Sequence, residues 1–220
     1  MLLLPWLAGV LTAGFRWPHL PLLVAWLAGY LCSYYLLQAV KTRRPARVRA
    51  QLLAYGPVTA VAGALVLAVR PQLLWYAPAF AALLAVNVVH ARRRAERALL
   101  NDLASVLQSC LMVFVCATVA GQPLSQAVPV FAAVTAYFTG TVLYVKTMIR
   151  ERDSVAYYRA SVLYHAAAVG LAVWLGPPEL FVFALLLARA AALPKRRITP
   201  KQVGLIEIAA AVLLLTAVLL

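Results

Sequence analysis

Lys41-Thr42-Arg43-Arg44-Pro45-Ala46-Arg47-Val48-Arg49 sets five cations between two long apolar stretches, 20–40 and 51–69. The pattern returns at Arg92-Arg93-Arg94-Ala95-Glu96-Arg97, at Lys146 with Arg150 and Arg152, and at Lys195-Arg196-Arg197 with Lys201. These are every second junction between apolar stretches. Sixteen of the twenty Lys and Arg fall there; the intervening junctions hold only Arg16 and Arg70, and Arg159 and Arg189 lie within apolar stretches. Cytoplasmic loops of membrane proteins are enriched in Lys and Arg. The alternation therefore predicts a multi-pass protein of the cell's inner (plasma) membrane. Its basic helix ends and N-terminus would be cytoplasmic, and its C-terminus, Leu220, outside.

Composition agrees. The chain of 220 residues is 65% hydrophobic with a mean hydropathy of +0.89, more apolar surface than a soluble domain of this size can bury. The net charge of +14 does not indicate a nucleic-acid partner, because the cations sit at the ends of apolar segments and not on one soluble face. A bilayer with anionic headgroups is the partner that this distribution fits. Cys32, Cys110 and Cys116 all lie in apolar runs without CxxC spacing and are expected as buried apolar residues. Met1 is followed by apolar residues with neither a basic n-region nor a clear cleavage site, so no cleavable signal is expected.

A helix crossing a hydrocarbon core of about 30 Å needs about 20 apolar residues. Nine stretches qualify in outline: 2–16, 20–40, 51–69, 72–90, 101–120, 125–147, 154–175, 178–193 and 203–220, the first and eighth being short. Trp17-Pro18, Arg70-Pro71, Gly121-Gln122-Pro123, Gly176-Pro177-Pro178 and Pro194 punctuate them. The runs lack period-two alternation, and an open sheet cannot sit in lipid. The expected fold is all-α, a polytopic transmembrane bundle of about nine helices forming a single domain, 1–220.

Polar groups in lipid must find partners, so polar stripes mark inward faces. Stretch 125–147 carries Tyr137, Gly140, Thr141, Tyr144 and Thr147, most of them three or four residues apart and so on one helix face. Stretch 154–175 carries Tyr157, Ser161, Tyr164 and His165, and the turn before it holds Arg150, Glu151, Arg152 and Asp153. His165, about three turns in, is expected to be the least solvated of the three histidines. Asn101, Asp102, Ser105, Gln108 and Ser109 open stretch 101–120, and Asn87 and His90 close 72–90. Asn101 or Asp102 is expected to cap a helix start, a place that also attracts anions. The stripes either converge on a cytoplasm-facing cavity or make interhelical hydrogen bonds. Arg189 and Glu207 lie at similar depth in the last two stretches. Each alone is costly in lipid, so a structural ion pair is expected.

No GxxxxGK[ST] loop, GxGxxG or HExxH is present, and Ser161 beside His165 lacks an elbow motif. The runs Tyr137-Phe-Thr-Gly-Thr-Val-Leu-Tyr-Val-Lys-Thr-Met-Ile-Arg-Glu-Arg152 and Asn101-Asp-Leu-Ala-Ser105, with Met1-Leu-Leu-Leu-Pro-Trp6, resemble the YwiC-like family of bacterial integral membrane proteins, over nearly the whole chain. Members carry a Gln-His-Gly-Ala-Trp-type segment before the first helix. This chain lacks it, which implies either a start upstream of Met1 or a missing polar site element. A second likeness is to UbiA-type prenyltransferases, nine-helix enzymes that hold Mg²⁺ and a prenyl diphosphate in cytoplasmic loops. Ile149-Arg-Glu-Arg-Asp153 is similar to their second acidic motif. Their first needs several carboxylates, since Mg²⁺ takes oxygen ligands, and Lys41-Thr42-Arg43-Arg44-Pro45 has none.

The sequence thus points to a membrane protein that binds an anionic or lipid-phosphate ligand in a cytoplasm-facing cavity. Arg93, Lys146, Arg150 and Arg152 would supply charge, because a guanidinium donates two parallel bonds to phosphate. Asn101, Asp102, Ser105, Tyr144, Glu151, Asp153, Tyr157, Ser161 and His165 would line it. No metal and no cofactor is expected. The alternatives are a UbiA-like prenyltransferase using Mg²⁺ held by Glu151 and Asp153, or a secondary transporter or membrane-complex assembly subunit. Whether the protein is catalytic stays open at the level of sequence.

Overall fold

The computed structural model describes residues 2–196 and 198–220, apart from the Lys195 side chain; Arg197, in the fourth basic junction, and Met1 lie outside the described residues. The described residues form α1 (Leu3–Ala13), α2 (His19–Thr42), α3 (Arg49–Val69), α4 (Ala77–Arg92), α5 (Leu99–Cys110), α6 (Met112–Ala120), α7 (Leu124–Ile149), α8 (Val155–Leu175), α9 (Pro177–Ala192) and α10 (Pro200–Ala217), joined by short 3₁₀ turns and loops. No strand occurs among them. The helices α5 and α6 run in series. At Leu111 the backbone tightens, yet Leu111 N–H still bonds Leu107 O and Val115 N–H bonds Leu111 O, so 99–120 forms one rod.

Six segments are long and apolar enough to cross a membrane: His19–Thr42, Pro45–Val69, Pro71–Arg92, Leu99–Ala120, Leu124–Ile149 and Pro200–Ala217. Of the nine stretches expected, the other three are lesser ones. The α1 helix has 11 residues and α9 has 16, while α8 has 21 but carries Arg159 and His165. The fold is a polytopic transmembrane helix bundle. Large apolar side chains such as Leu53, Val61, Leu163, Phe181 and Ile208 point outward, as lipid-facing residues do.

The chain divides into two compact units, 2–127 and 128–220. In the first, the 99–120 rod is the hub. Trp6, Val10, Leu22, Val66, Met112, Val115, Cys116 and Val119 form its apolar core. On α1, Gly9 lies against α6 so closely that a Cβ would sit 2.8 Å from Cys116 Cβ and 3.1 Å from Val113 Cα. Small residues permit this approach where lipid supplies no hydrophobic drive. The α6 end is stitched by side chains. His19 bonds Cys116 O through Nε2 at 3.1 Å, Arg70 Nε donates to Val119 O at 3.0 Å, and Tyr76 Oη lies 2.8 Å from Thr118 Oγ1. The Arg70 cation faces a last-turn carbonyl, where a helix carries partial negative charge. His19 is fully buried with both ring nitrogens bonded, so it, and not His165, is the least solvated histidine. The Trp17-Pro18 break is only punctuation in the sequence, but past it His19 turns inward onto α6.

In the second unit α8 packs on α9 and α9 on α10, with a small core of Tyr144, Met148, Ala190 and Val203. Ser154 caps α8, its Oγ accepting from Tyr157 N–H. Thr199 and Gln202 form a reciprocal capping box before α10, satisfying backbone groups that a helix start leaves free.

Candidate functional site

The polar residues singled out by sequence fall into two groups, one in each unit. In 2–127, Asn87 on α4 gathers Asn101 and Ser105 of α5: its Nδ2 donates to Asn101 Oδ1 at 2.8 Å and to Ser105 Oγ at 3.1 Å. Asn101 Nδ2 in turn donates to Glu96 O at 2.8 Å, and Ser105 Oγ–H to Asn101 O at 3.0 Å. These bonds clasp α4 to α5. The capping role expected of Asn101 or Asp102 is not seen. The N-cap is Ala98, no side chain caps it, and both residues lie inside the first turn because the helix starts two residues earlier than Asn101. Arg93 is exposed just past α4.

The second group is in 128–220. Arg150, Arg152 and Asp153 are exposed on the α7–α8 turn, and Glu151 and Tyr157 are half-buried near it. Arg152 reaches Ile198 O at 3.5 Å. Lys146 is buried on α7. Deeper, Tyr144, Ser161 and His165 are all buried. His165 Nδ1 lies 2.7 Å from Ser161 O; a carbonyl only accepts, so Nδ1 carries the proton and Nε2 presents a lone pair. That nitrogen abuts Gly140, where a Cβ would come within 2.9 Å. One helical turn on, the Tyr144 ring supports Arg189, whose Cζ stands 4.1 Å above the ring centroid.

Arg189 Nη1 donates to Glu207 Oε1 in an ion pair. Glu207 is held from α7 as well: Thr141 Oγ1 donates to Oε2 at 2.7 Å, and Tyr137 Oη to the Glu207 carbonyl at 2.9 Å. Sequence places Tyr137 and Thr141 on the polar stripe of α7 but gives no sign that they meet α10. Among the described residues, five buried atoms of this group find no hydrogen-bond partner: Arg189 Nε and Nη2, Tyr144 Oη, Ser161 Oγ and His165 Nε2. Nε and Nη2 form the edge of a guanidinium that donates two parallel bonds to a carboxylate or phosphate. Buried polar groups are normally bonded, and a half-satisfied cation is costly. The unpartnered atoms are thus one donor edge of a planar cation, two hydroxyls, and a ring nitrogen that in this tautomer only accepts. Among the described residues no three His, Cys, Asp or Glu side chains gather as metal ligands.

Comparison with known proteins places the chain in a family. A model described as YwiC-like protein matches residues 1–117. An uncharacterized protein of Haemophilus influenzae is 31% identical over 215 residues, covering 95% of this chain and 89% of that protein. The uncharacterized protein YwiC of Bacillus subtilis is 34% identical over 166 residues, covering 75% and 70%. No solved structure matches. The Gly140–Arg152 part of the run that carries the resemblance lies beyond the matched residues. With the model spanning over half the chain and both alignments covering most of their partners, the protein belongs to the YwiC-like family.

Proposed function

We propose that the protein is a multi-pass protein of the inner membrane that binds an anionic ligand, a lipid phosphate or another oxyanion, at Arg189 in the 128–220 unit. The basic helix ends would face the cytoplasm and admit the ligand from that side, with Arg150 and Arg152 at the mouth and Tyr144, Ser161 and His165 deeper. One observation carries this reading: the buried Nε/Nη2 edge of Arg189 has no partner among the described residues, while Nη1 is fixed by Glu207. A guanidinium anchored on one side and stacked on a ring is preorganised to donate from the other.

The test keeps the fold while removing the charge. Arg189→Met alone would leave Glu207 buried and unpaired, at a cost of about 3–5 kcal/mol, whereas Arg189→Met with Glu207→Met exchanges the pair for apolar groups and is tolerated far better. Purified protein in detergent is titrated with phosphate, pyrophosphate and a short-chain phosphatidic acid, and thermal unfolding is followed. At a ligand concentration of 100 Kd, mass action stabilises the native state by about 2.7 kcal/mol. The native protein is expected to gain this with at least one of the three and the double variant with none. An equal gain in the double variant would remove Arg189 from the reading.

A further inference from the structure

The 2–127 unit has a separate basic feature. A cavity of about 440 Å³ lies between the last turns of α2 and α4, lined by Ala39, Val40, Arg43, Val88 and Arg92. Its frame is fixed on both sides. Lys41 on α2 pairs with Glu96 at 2.7 Å, and Asn87 on α4 is tied to α5. The one carboxylate of this junction is thus engaged by Lys41. Among the described residues neither Arg43 nor Arg92 has an ion-pair or side-chain hydrogen-bond partner, and both are exposed.

The backbone adds an independent sign. Arg43 at φ 55° and Arg94 at φ 54° are the two non-glycine residues of positive φ among the described residues, and they stand just past the ends of these two helices. Helices commonly end on a left-handed residue, and glycine is the usual choice because it has no Cβ to strain. Arg43, which lines the cavity, keeps its cation there at that conformational cost; Arg94 does not line it. Both helix C-termini carry partial negative charge, which opposes an anion. Two cations are what turn the local field positive.

We propose that this cavity holds one anionic phospholipid, its phosphate between Arg43 and Arg92 and the upper part of an acyl chain on Ala39, Val40 and Val88. Both helices belong to membrane-spanning segments, so their ends stand where headgroups lie. The apolar wall beneath the two cations selects a lipid over a free phosphate, which would leave it uncovered. This site is independent of Arg189.

The full-length protein is reconstituted in nanodiscs of phosphatidylcholine with a minor fraction of phosphatidylglycerol, extracted into mild detergent, and its retained lipid counted by native mass spectrometry. One phosphatidylglycerol per chain is expected. Arg43→Gln with Arg92→Gln should weaken retention roughly thirty-fold, the equivalent of about 1 kcal/mol for each of two basic residues near a headgroup. Arg44→Gln with Arg47→Gln removes the same charge from side chains that do not line the cavity and should change retention less than about twofold. Val88→Trp keeps both cations but fills the wall and should expel the lipid. Arg43→Gly, which relieves the left-handed strain, should weaken retention while unfolding no earlier than the native chain, separating loss of lipid from loss of fold. The proposal is overturned if the Arg44/Arg47 control loses as much lipid as the Arg43/Arg92 variant, if Val88→Trp retains it, or if glycerol 3-phosphate competes as well as the lipid. Because the two sites are separate, the Arg43/Arg92 variant should keep any stabilisation by phosphate that depends on Arg189.

Discussion

Gly140 is bare because the His165 ring occupies the place a side chain would take, with Nε2 only 2.9 Å from where a Cβ would stand. Neither α7 nor the ring, pinned through Nδ1 to Ser161 O, can move without breaking a bond. Gly140→Ala is therefore expected to destabilise the protein by about 1–3 kcal/mol, the usual range for overpacking, despite alanine's better helix propensity. Thermal unfolding checks it; an alanine variant as stable as the native chain would mean that the ring has room to turn. Sequence spacing places Gly140 and His165 on polar faces, and both Arg189 and Glu207 stand out as charges in apolar runs. The third dimension is what spacing lacks. Nothing along the chain says that Tyr137 and Thr141 approach Glu207, that Arg189 lies over Tyr144, or that one edge of its guanidinium has no partner. Those facts depend on helix rotation and crossing.

At the scale of elements, the helix stretches were legible because membrane spans are long, apolar and punctuated by Pro and Gly. Their ends were less so. The α5 helix begins at Leu99 without a side-chain cap, and its first polar residues bond sideways to Asn87 and back to Glu96 O. The α4–α5 loop is also held from α2, where the Lys41 ammonium donates to Glu96 and keeps that carboxyl below the ordinary carboxylate range. A depressed acid stabilises the fold above its unfolded value, about 4.3, and that contribution is lost as pH falls through the folded value. Both partners are about one-third exposed, so the pair contributes within about 1 kcal/mol. Glu96→Gln should cost no more than that small contribution at pH 7, nothing once the pH is below the folded value, and flatten the dependence on pH below about 4.3. A denaturant midpoint measured at pH 7 and across the acid range tests this; an unflattened acid limb would mean the pair does not form in solution.

For the whole molecule, the alternation of basic and uncharged junctions carried both the membrane assignment and the proposed orientation. A reporter active only in the cytosol is expected to work when inserted at Arg44–Pro45 and to fail when fused after Leu220. Activity at both places would break the nine-pass layout. Six segments meet the span criterion outright, and α1, α8 and α9 do not. For α1 and α9 the reason is length, 11 and 16 residues; α8 is long enough at 21 but carries Arg159 and His165, which lower its hydropathy. The α9–α10 pair shows what this entails for biogenesis. Glu207, within α10, and Arg189, in the last turn of α9, each weigh against entry into hydrocarbon, and each answers the other. A ribosome that has released only α9 presents the translocon with an unneutralised cation. The charge is answered only once α10 has followed, so the hairpin is expected to partition into the bilayer more readily as one object than α9 does by itself, and the order of synthesis bears on how this region reaches its native state.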